Sequence, residues 1–195
     1  CEKRMVGKAE FWFAVLKRQG RVTAEVLGEI VNAALAGFPW PKSMRWANGS
    51  FIWVRPLHSI LCVFAGKRVP GAVALGGHEI AYGDVSHGHR FLDPAPFPVT
   101  GFDDYRRKLH DARVVLDQAQ RREIIARSAN DAAKREHLTL KDDPGLLDEV
   151  TGLVEWPVVL TGAIDAAYMD LPAEVLTTSM RAHQKYFALL KGDGA

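Results

Sequence analysis

Apolar residues fall at Leu27, Ile30, Val31, Ala34 and Leu35, a spacing of i, i+3, i+4, i+7 and i+8 that places them on one stripe of a helix. Thr23 is expected to cap this helix, and Gly37 with Pro39 to end it. Before it, the aromatic-rich stretch from Ala9 to Gln19, with Phe11, Trp12, Phe13, Val15 and Leu16, reads as another helix closed by Gly20. Phe38 to Trp46 carries two prolines and two tryptophans among small or basic residues, so it reads as an ordered loop; flexible linkers are poor in Trp. The pattern then changes to short runs of β-branched and aromatic residues. Phe51–Arg55, Ser59–Ala65 and Val69–Leu75 are predicted strands, with a turn at Gly66-Lys67. Gly76-Gly77 and Gly83-Asp84 punctuate the next stretch, Ser86–Leu92 is a further strand, and Asp93–Pro98 a proline-rich connection.

Helical spacing returns at Phe102–Asp111, where Tyr105 and Leu109 share a face, and a long charged helix is predicted from Asp117 to about Glu136. Its pairs Asp117/Arg121, Glu123/Arg127 and Asp131/Arg135 set an acid four residues before a base, the orientation that supports a helix. Asp143-Pro144 is a cap and first-turn signal for a helix whose buried stripe is Leu146, Leu147, Val150, Leu153 and Val154. Pro157 stops it, Val158–Leu160 is a predicted buried strand, and a last helix from Pro172 to about His183 leads into a strand at Tyr186–Leu190. Helices and strands interleave without a strict βαβ rhythm. The expected class is therefore mixed, α/β or α+β, with a central mixed or antiparallel sheet and flanking helices. Residues 1–38 are expected to form an N-terminal helical segment, and residues 39–195 a mixed α/β domain truncated at its C-terminus.

Composition narrows the picture without deciding it. Of 195 residues, 48% are apolar and 25% charged, which excludes a disordered or collagenous chain. No apolar run approaches the roughly 18–20 residues a membrane span needs. Cys1 and Cys62 provide no disulfide framework, so a reducing cytoplasm is the expected location. The net charge of +2 permits contact with nucleic acid but does not demand it. The chain starts without Met, and it ends on the turn signal Lys191-Gly192-Asp193-Gly194-Ala195, with no returning strand after Tyr186–Leu190. Both features suggest a piece of a longer polypeptide.

Several kinds of chemistry leave no trace: there is no phosphate loop, no dinucleotide fingerprint and no nucleophile elbow, and Cys62 sits in an apolar run as a core residue. His87 and His89 would share a face of a strand, with Asp84 or Asp93 as an oxygen ligand. Without a cysteine pair or a helical H-E-x-x-H, contact with a turn or a phosphate is the preferred reading. Trp40-Pro41-Lys42-Ser43-Met44-Arg45-Trp46 sets two cations between two indoles. Such a loop can bind phosphate through Lys42 and Arg45 while an indole stacks on a base, or the tryptophans can be core anchors. Arg121, Arg122 and Arg127 read as a solvated helix face rather than a basic stripe, because acids accompany them. Arg181, His183 and Lys185 lie where a helix ends, and there they favour the negative helix terminus or contact RNA.

Read in order, these strings carry a resemblance. Trp40–Trp46, Phe51 through Val54-Arg55-Pro56 with Leu57-His58, Gly88-His89-Arg90-Phe91, Val115-Leu116-Asp117 with Arg121-Arg122-Glu123, Leu146–Thr151 with Leu153–Pro157, Val175-Leu176 through Thr178-Ser179-Met180, and His183-Gln184-Lys185-Tyr186-Phe187 are similar to the beta subunit of bacterial heterotetrameric glycyl-tRNA synthetase. The likeness covers nearly all of Phe38 to Leu190, and Cys1 to Gly37 less distinctively. It implies a fragment of a subunit that recognises and positions glycine tRNA, with the alpha subunit and the remainder of the beta subunit as partners and no membrane. ATP and magnesium would be used at the alpha subunit, with no cofactor and no catalytic residue in this fragment, which alone would be inactive. It also implies a fold similar to the editing-type domain of the phenylalanyl-tRNA synthetase beta subunit. Ser86-His87-Gly88-His89-Arg90 departs from the family's Thr-Arg-Gly-His-Arg and exchanges a permanent cation for a titratable one.

The expected RNA-contacting residues are Lys42, Arg45, Arg55, His89, Arg90, Arg181 and Lys185. One competing reading is a scaffold domain that packs on the rest of the synthetase through Trp40, Trp46, Trp53 and Trp156. Exposed clustered cations favour RNA, and cations held in ion pairs favour scaffold. A vestigial hydrolytic editing domain is a third reading. The need for it is weak, because a pocket fitted to glycine already excludes larger amino acids.

Overall fold

A computed structural model describes residues 1–45, 49–74 and 79–192. The expected features at Trp46, Leu75 and Gly76-Gly77, and the end of the terminal turn at 193–195, lie outside the described residues. The chain divides into two compact units, Cys1–Asp84 and Val85–Ala195. The class is mixed α/β, and the strands are spread over small, mostly antiparallel sheets.

In the first unit, residues expected to form a helix from Ala9 to Gln19 instead pair as an antiparallel hairpin, Glu2–Val6 with Ala9–Phe13, and Gln19 lies in irregular chain. Gly7, at φ +66, occupies the first position of its two-residue turn, a conformation that glycine adopts without strain. Cross-strand pairing overrides local propensity here: Lys3 sits opposite Trp12, with its ammonium 5.1 Å from the ring centroid and 2.7 Å from Glu10.

Helix α1, Thr23–Ala36, closes on Gly37 as expected, but Val22 occupies the N-cap position and Thr23 lies inside the helix without capping it. Its Leu27, Val31 and Leu35 pack against Val69, Val73 and Tyr82, while Ile30 stays 57% exposed at the margin of the stripe. Beneath the helix, Glu79–Gly83 is the middle strand of three, parallel to Ile60–Leu61 and antiparallel to Ala72–Ala74. The Tyr82 hydroxyl lies 3.1 Å from both the Gly28 carbonyl and Asn32 Oδ1, tying helix to sheet. The turn between Val63–Phe64 and Lys67–Arg68 falls on Ala65-Gly66, one residue earlier than expected, with both residues at positive φ.

The second unit opens with an antiparallel hairpin, Val85–His87 with Pro96–Pro98. The strand expected through Leu92 therefore ends at His87, and part of the proline-rich connection is its partner. Helices α2 (Phe102–Asp111), α3 (Gln118–Arg135) and α4 (Pro144–Leu153) come next along the chain. Asp143 caps α4 by accepting from the Leu146 amide, as the Asp-Pro signal predicts. Leu109, Val115, Ile125, Ala129, Ala132, Ala133, Leu146 and Thr151 are buried. Leu153, expected in the buried stripe, is 65% exposed at the last position of α4. Val158–Leu160 is not a buried strand: Val158 and Leu160 are exposed, and no described residue pairs with the segment. The last predicted helix divides into α5, Ala173–Ser179, and a π-helical turn, Met180–Gln184, that ends on Lys185 at φ 58. Leu189–Leu190 pairs with Thr139–Leu140. Among the described residues, no helix is long and apolar enough to cross a membrane.

Candidate nucleic-acid interface

The seven basic residues singled out in the sequence fall into three structural groups. In the first unit, Lys42, Arg45 and Arg55 flank a short ladder in which Met44–Arg45 pairs with Ile52–Trp53. Lys42 and Arg55 each lie two residues beyond the same end of that ladder. All three are exposed and form no ion pair among the described residues. The same segments carry an aromatic cluster: the Trp40 and Trp53 rings meet edge to face at 5.0 Å, Phe38 lies 4.7 Å from Trp40, and Phe51 stacks on Trp53 at 5.8 Å. Trp40, which the sequence leaves open between base-stacking and anchoring, is thus an anchor within this aromatic cluster.

The second group is the turn that joins Val85–His87 to Pro96–Pro98. The alternating face expected of His87 and His89 is lost because the strand stops at His87. His89 folds back on its own turn, where Nδ1 accepts from the amides of Phe91 and Leu92 at 3.3 and 3.2 Å. Its own amide donates to the Ala112 carbonyl at 2.9 Å, and the Asp93 amide donates to its carbonyl at 3.0 Å. His89 is therefore a half-buried brace of the turn rather than an outward contact. Arg90 is exposed, with no ion pair among the described residues, and the adjacent Phe91 is 84% exposed. Among the described residues, no group of three His, Cys, Asp or Glu side chains is arranged to hold a metal ion.

The third group is paired. Arg181 makes an ion pair with Asp143 from Nε at 2.5 Å, and Lys185 Nζ lies 2.8 Å from Glu149. The Arg181 guanidinium, together with the Leu146 amide, holds the Asp143 carboxyl below its usual range, and Asp143 in turn raises Arg181. Both cations tie the π-helical turn to α4, which is framework service. A shallow cavity of about 120 Å³ beside Arg181 is lined by Lys141, Asp143, Thr177 and Tyr186.

Sequence reasoning misses two residues. Phe91 is embedded in a predicted strand, so its exposure has no signal. Arg121, expected to pair with Asp117 on a solvated face, instead donates to the carbonyls of Val115, Leu116 and Thr151 at 2.6, 2.9 and 3.2 Å. Asp117 is occupied as the N-cap of α3, accepting from Gln120. Of the three expected i,i+4 pairs, only Glu123–Arg127 forms among the described residues.

The family model described as "Glycyl-tRNA synthetase beta subunit" matches residues 1–195. The chain is 50% identical to the glycine–tRNA ligase beta subunit of Rhodospirillum centenum, over 97% of this chain and 29% of that protein. It is 49% identical to the corresponding subunit of a Ruegeria species and 47% identical to that of Paracoccus denitrificans, each over 96% of this chain and 27% of the relative. The chain thus spans somewhat more than a quarter of the length of the curated relatives it matches.

Proposed function

The chain belongs to the glycyl-tRNA synthetase beta-subunit family, and from that membership we propose that it contributes to recognising and positioning glycine tRNA for ATP-dependent attachment of glycine. On this reading it works in the cytoplasm, beside the rest of its own subunit and an alpha subunit that uses ATP and magnesium, and has no active site of its own. The observation that carries the proposal is the division among the basic residues. Lys42, Arg45, Arg55 and Arg90 are exposed and without ion pairs among the described residues, whereas Arg181 and Lys185 are neutralised by Asp143 and Glu149. A phosphate-binding surface needs cations whose charge is not already spent. Lys42, Arg45 and Arg55 in the first unit, and separately Arg90 in the second, can supply such charge by releasing counterions from RNA, while the last two serve the scaffold role.

The test is the affinity of the full-length beta subunit, assembled with its alpha partner, for glycine tRNA and an unrelated tRNA across a salt series. The Lys42→Ala/Arg45→Ala/Arg90→Ala variant is expected to weaken binding and to flatten the plot of log affinity against log salt by about two to three units, close to one per lost phosphate contact. The Arg181→Ala/Lys185→Ala variant is expected to leave that slope unchanged. A salt-independent affinity, or equal slopes in the parent and the triple variant, overturns the proposal.

A further inference from the structure

The turn His89–Leu92 is built as a rigid post with an aromatic ring at its tip. We propose that Phe91 is a stacking platform for an unpaired nucleobase of the bound RNA, with Arg90 contacting the adjoining phosphate and His89 acting as a positioning residue. The inference rests on the proposed tRNA-binding function and names the chemical class that this surface takes.

Three observations carry it. The first is exposure. Phe91 is 84% exposed and its neighbour Leu92 59%, and among the described residues the nearest aromatic ring to Phe91, that of His89, is 6.3 Å away between centroids. A ring so exposed gains little from its own fold.

The second is rigidity. A side chain that merely flops in solvent must surrender its freedom on binding, but this one stands on a fixed base. Gly88 lies so close to Ala112 that a Cβ on it would fall 2.5 Å from the Ala112 Cβ and closer still to the Asp93 carbonyl. The His89 amide fills the Ala112 carbonyl at the C-terminus of α2, and the His89 imidazole holds the amides of Phe91 and Leu92 from inside the turn. Gly88, His89, Phe91 and Leu92 are thereby fixed by contacts that do not involve the Phe91 ring.

The third is charge. Arg90 has no ion pair among the described residues, so the ring is flanked by an unspent cation. An apolar protein partner would leave that guanidinium to be desolvated at a cost. A nucleotide satisfies both residues together, with its base on the ring and its phosphate on the guanidinium. Duplex RNA keeps its bases stacked on one another, so the ligand is an unpaired nucleotide in a loop, bulge or single-stranded end.

The test uses the assembled full-length enzyme and glycine tRNA, with three variants at position 91. Phe91→Ala is expected to weaken tRNA binding about 10-fold at constant salt slope, the scale of one lost base–aromatic stack, while Phe91→Trp restores it and Phe91→Leu does not. Arg90→Ala is expected to lower the salt slope by about one. His89→Asn, which keeps an acceptor for the two amides, is expected to bind as the parent does, and His89→Ala to bind as weakly as Phe91→Ala. A thermal melt accompanies each variant. If the parent binds tRNA and loses it in the triple cation variant, but Phe91→Ala binds as tightly as the parent, the stacking platform is wrong and the tRNA reading stands. If Phe91→Leu restores binding as well as Phe91→Trp, or if Phe91→Ala dissociates the alpha and beta subunits on size-exclusion chromatography, the surface is a protein interface and the proposal fails. If the parent does not bind tRNA at any salt concentration, the tRNA reading itself fails and takes the platform with it.

Discussion

Gly88 and Ala112 pack backbone against backbone, with the space for a side chain on Gly88 already filled by the Ala112 Cβ at 2.5 Å and the Ala112 carbonyl oxygen at 2.9 Å. The contact joins a β-hairpin turn to the end of α2, and the helix end is shaped to receive it. Arg113, at φ 63, donates to the His110 carbonyl, and Val114 donates to that of Leu109, the paired bonds of a Schellman ending. That leaves the Ala112 carbonyl free for His89. Gly88→Ala must push the turn and helix apart and break the His89 bond. It is expected to cost about 2–4 kcal/mol, the scale of overpacking plus a lost buried hydrogen bond, read as a fall in the urea midpoint. A midpoint within error of the parent would mean that the turn relaxes freely.

Arg121 is the fastener of the second unit. Its guanidinium satisfies three carbonyls, of Val115 and Leu116 before α3 and of Thr151 in α4, and Thr151 itself is fully buried. Removing the donor leaves those carbonyls to whatever water can reach them. Arg121→Ala is expected to lower stability by about 2–3 kcal/mol in urea denaturation. Arg121→Lys should recover less than half, since an ammonium cannot reproduce the planar fork. Arg127→Ala, which removes an exposed i,i+4 pair, is the control, expected to stay within about 0.5 kcal/mol of the parent.

Those two sites show what the sequence does and does not disclose. Helices α1, α2 and α4 are legible because their apolar spacing is local, and Asp143-Pro144 announces its cap to the residue, whereas α3 is found through i,i+4 charge pairs of which only Glu123–Arg127 forms among the described residues. Arg121 misleads because an i,i+4 acid is visible in the sequence, whereas three carbonyls from separate segments become neighbours only on folding. The hairpin Glu2–Val6 with Ala9–Phe13 is hidden for the same reason. Aromatic residues at Phe11, Trp12 and Phe13 suit a helix until the partner strand across Gly7 is counted. Residue type singles out Lys42, Arg45, Arg55, His89, Arg90, Arg181 and Lys185 alike, yet which of these cations stay unpaired depends on tertiary neighbours. Arg181 and Lys185 look equally basic in the sequence and are neutralised by acids 38 and 36 positions away.

His137 offers a gain in stability. Helix α3 ends as α2 does, with the His137 amide on the Lys134 carbonyl and the Leu138 amide on that of Ala133. The residue required to turn left-handed is His137, at φ 58, exposed and without a side-chain hydrogen bond among the described residues. A side chain in this region is strained by roughly 1 kcal/mol, and glycine is not. His137→Gly is therefore expected to stabilise the protein by about 0.5–1 kcal/mol, seen as a rise in melting temperature. A loss of stability would mean that the imidazole makes a contact worth more than the strain.

Asp104 makes the stability of the second unit depend on acid. Its carboxylate accepts from Lys108 at 2.8 Å, from Arg107 at 2.7 Å and from both the amide and the hydroxyl of Thr100, just before α2 begins. Lys108 foremost, then the Thr100 donors, hold its pKa down to about 2 against the opposing effect of desolvation. In the unfolded chain the same group titrates near about 3.9, as an ordinary aspartate does. Because the folded value is the lower one, folding favours the ionised form. The stabilisation is complete above the unfolded value and drains away as pH falls through about 4 toward 2. Asp143, also held below its usual range, contributes with the same sign. Denaturant midpoints measured from about pH 6 down to about pH 2 are expected to fall steadily below about pH 4.5. In Asp104→Asn, which cannot ionise, the midpoint should be lower at about pH 6 and the decline shallower, so that the two curves converge toward about pH 2. Parallel curves would show that the acid sensitivity lies in other carboxylates and that the Lys108–Asp104 contact contributes nothing to it.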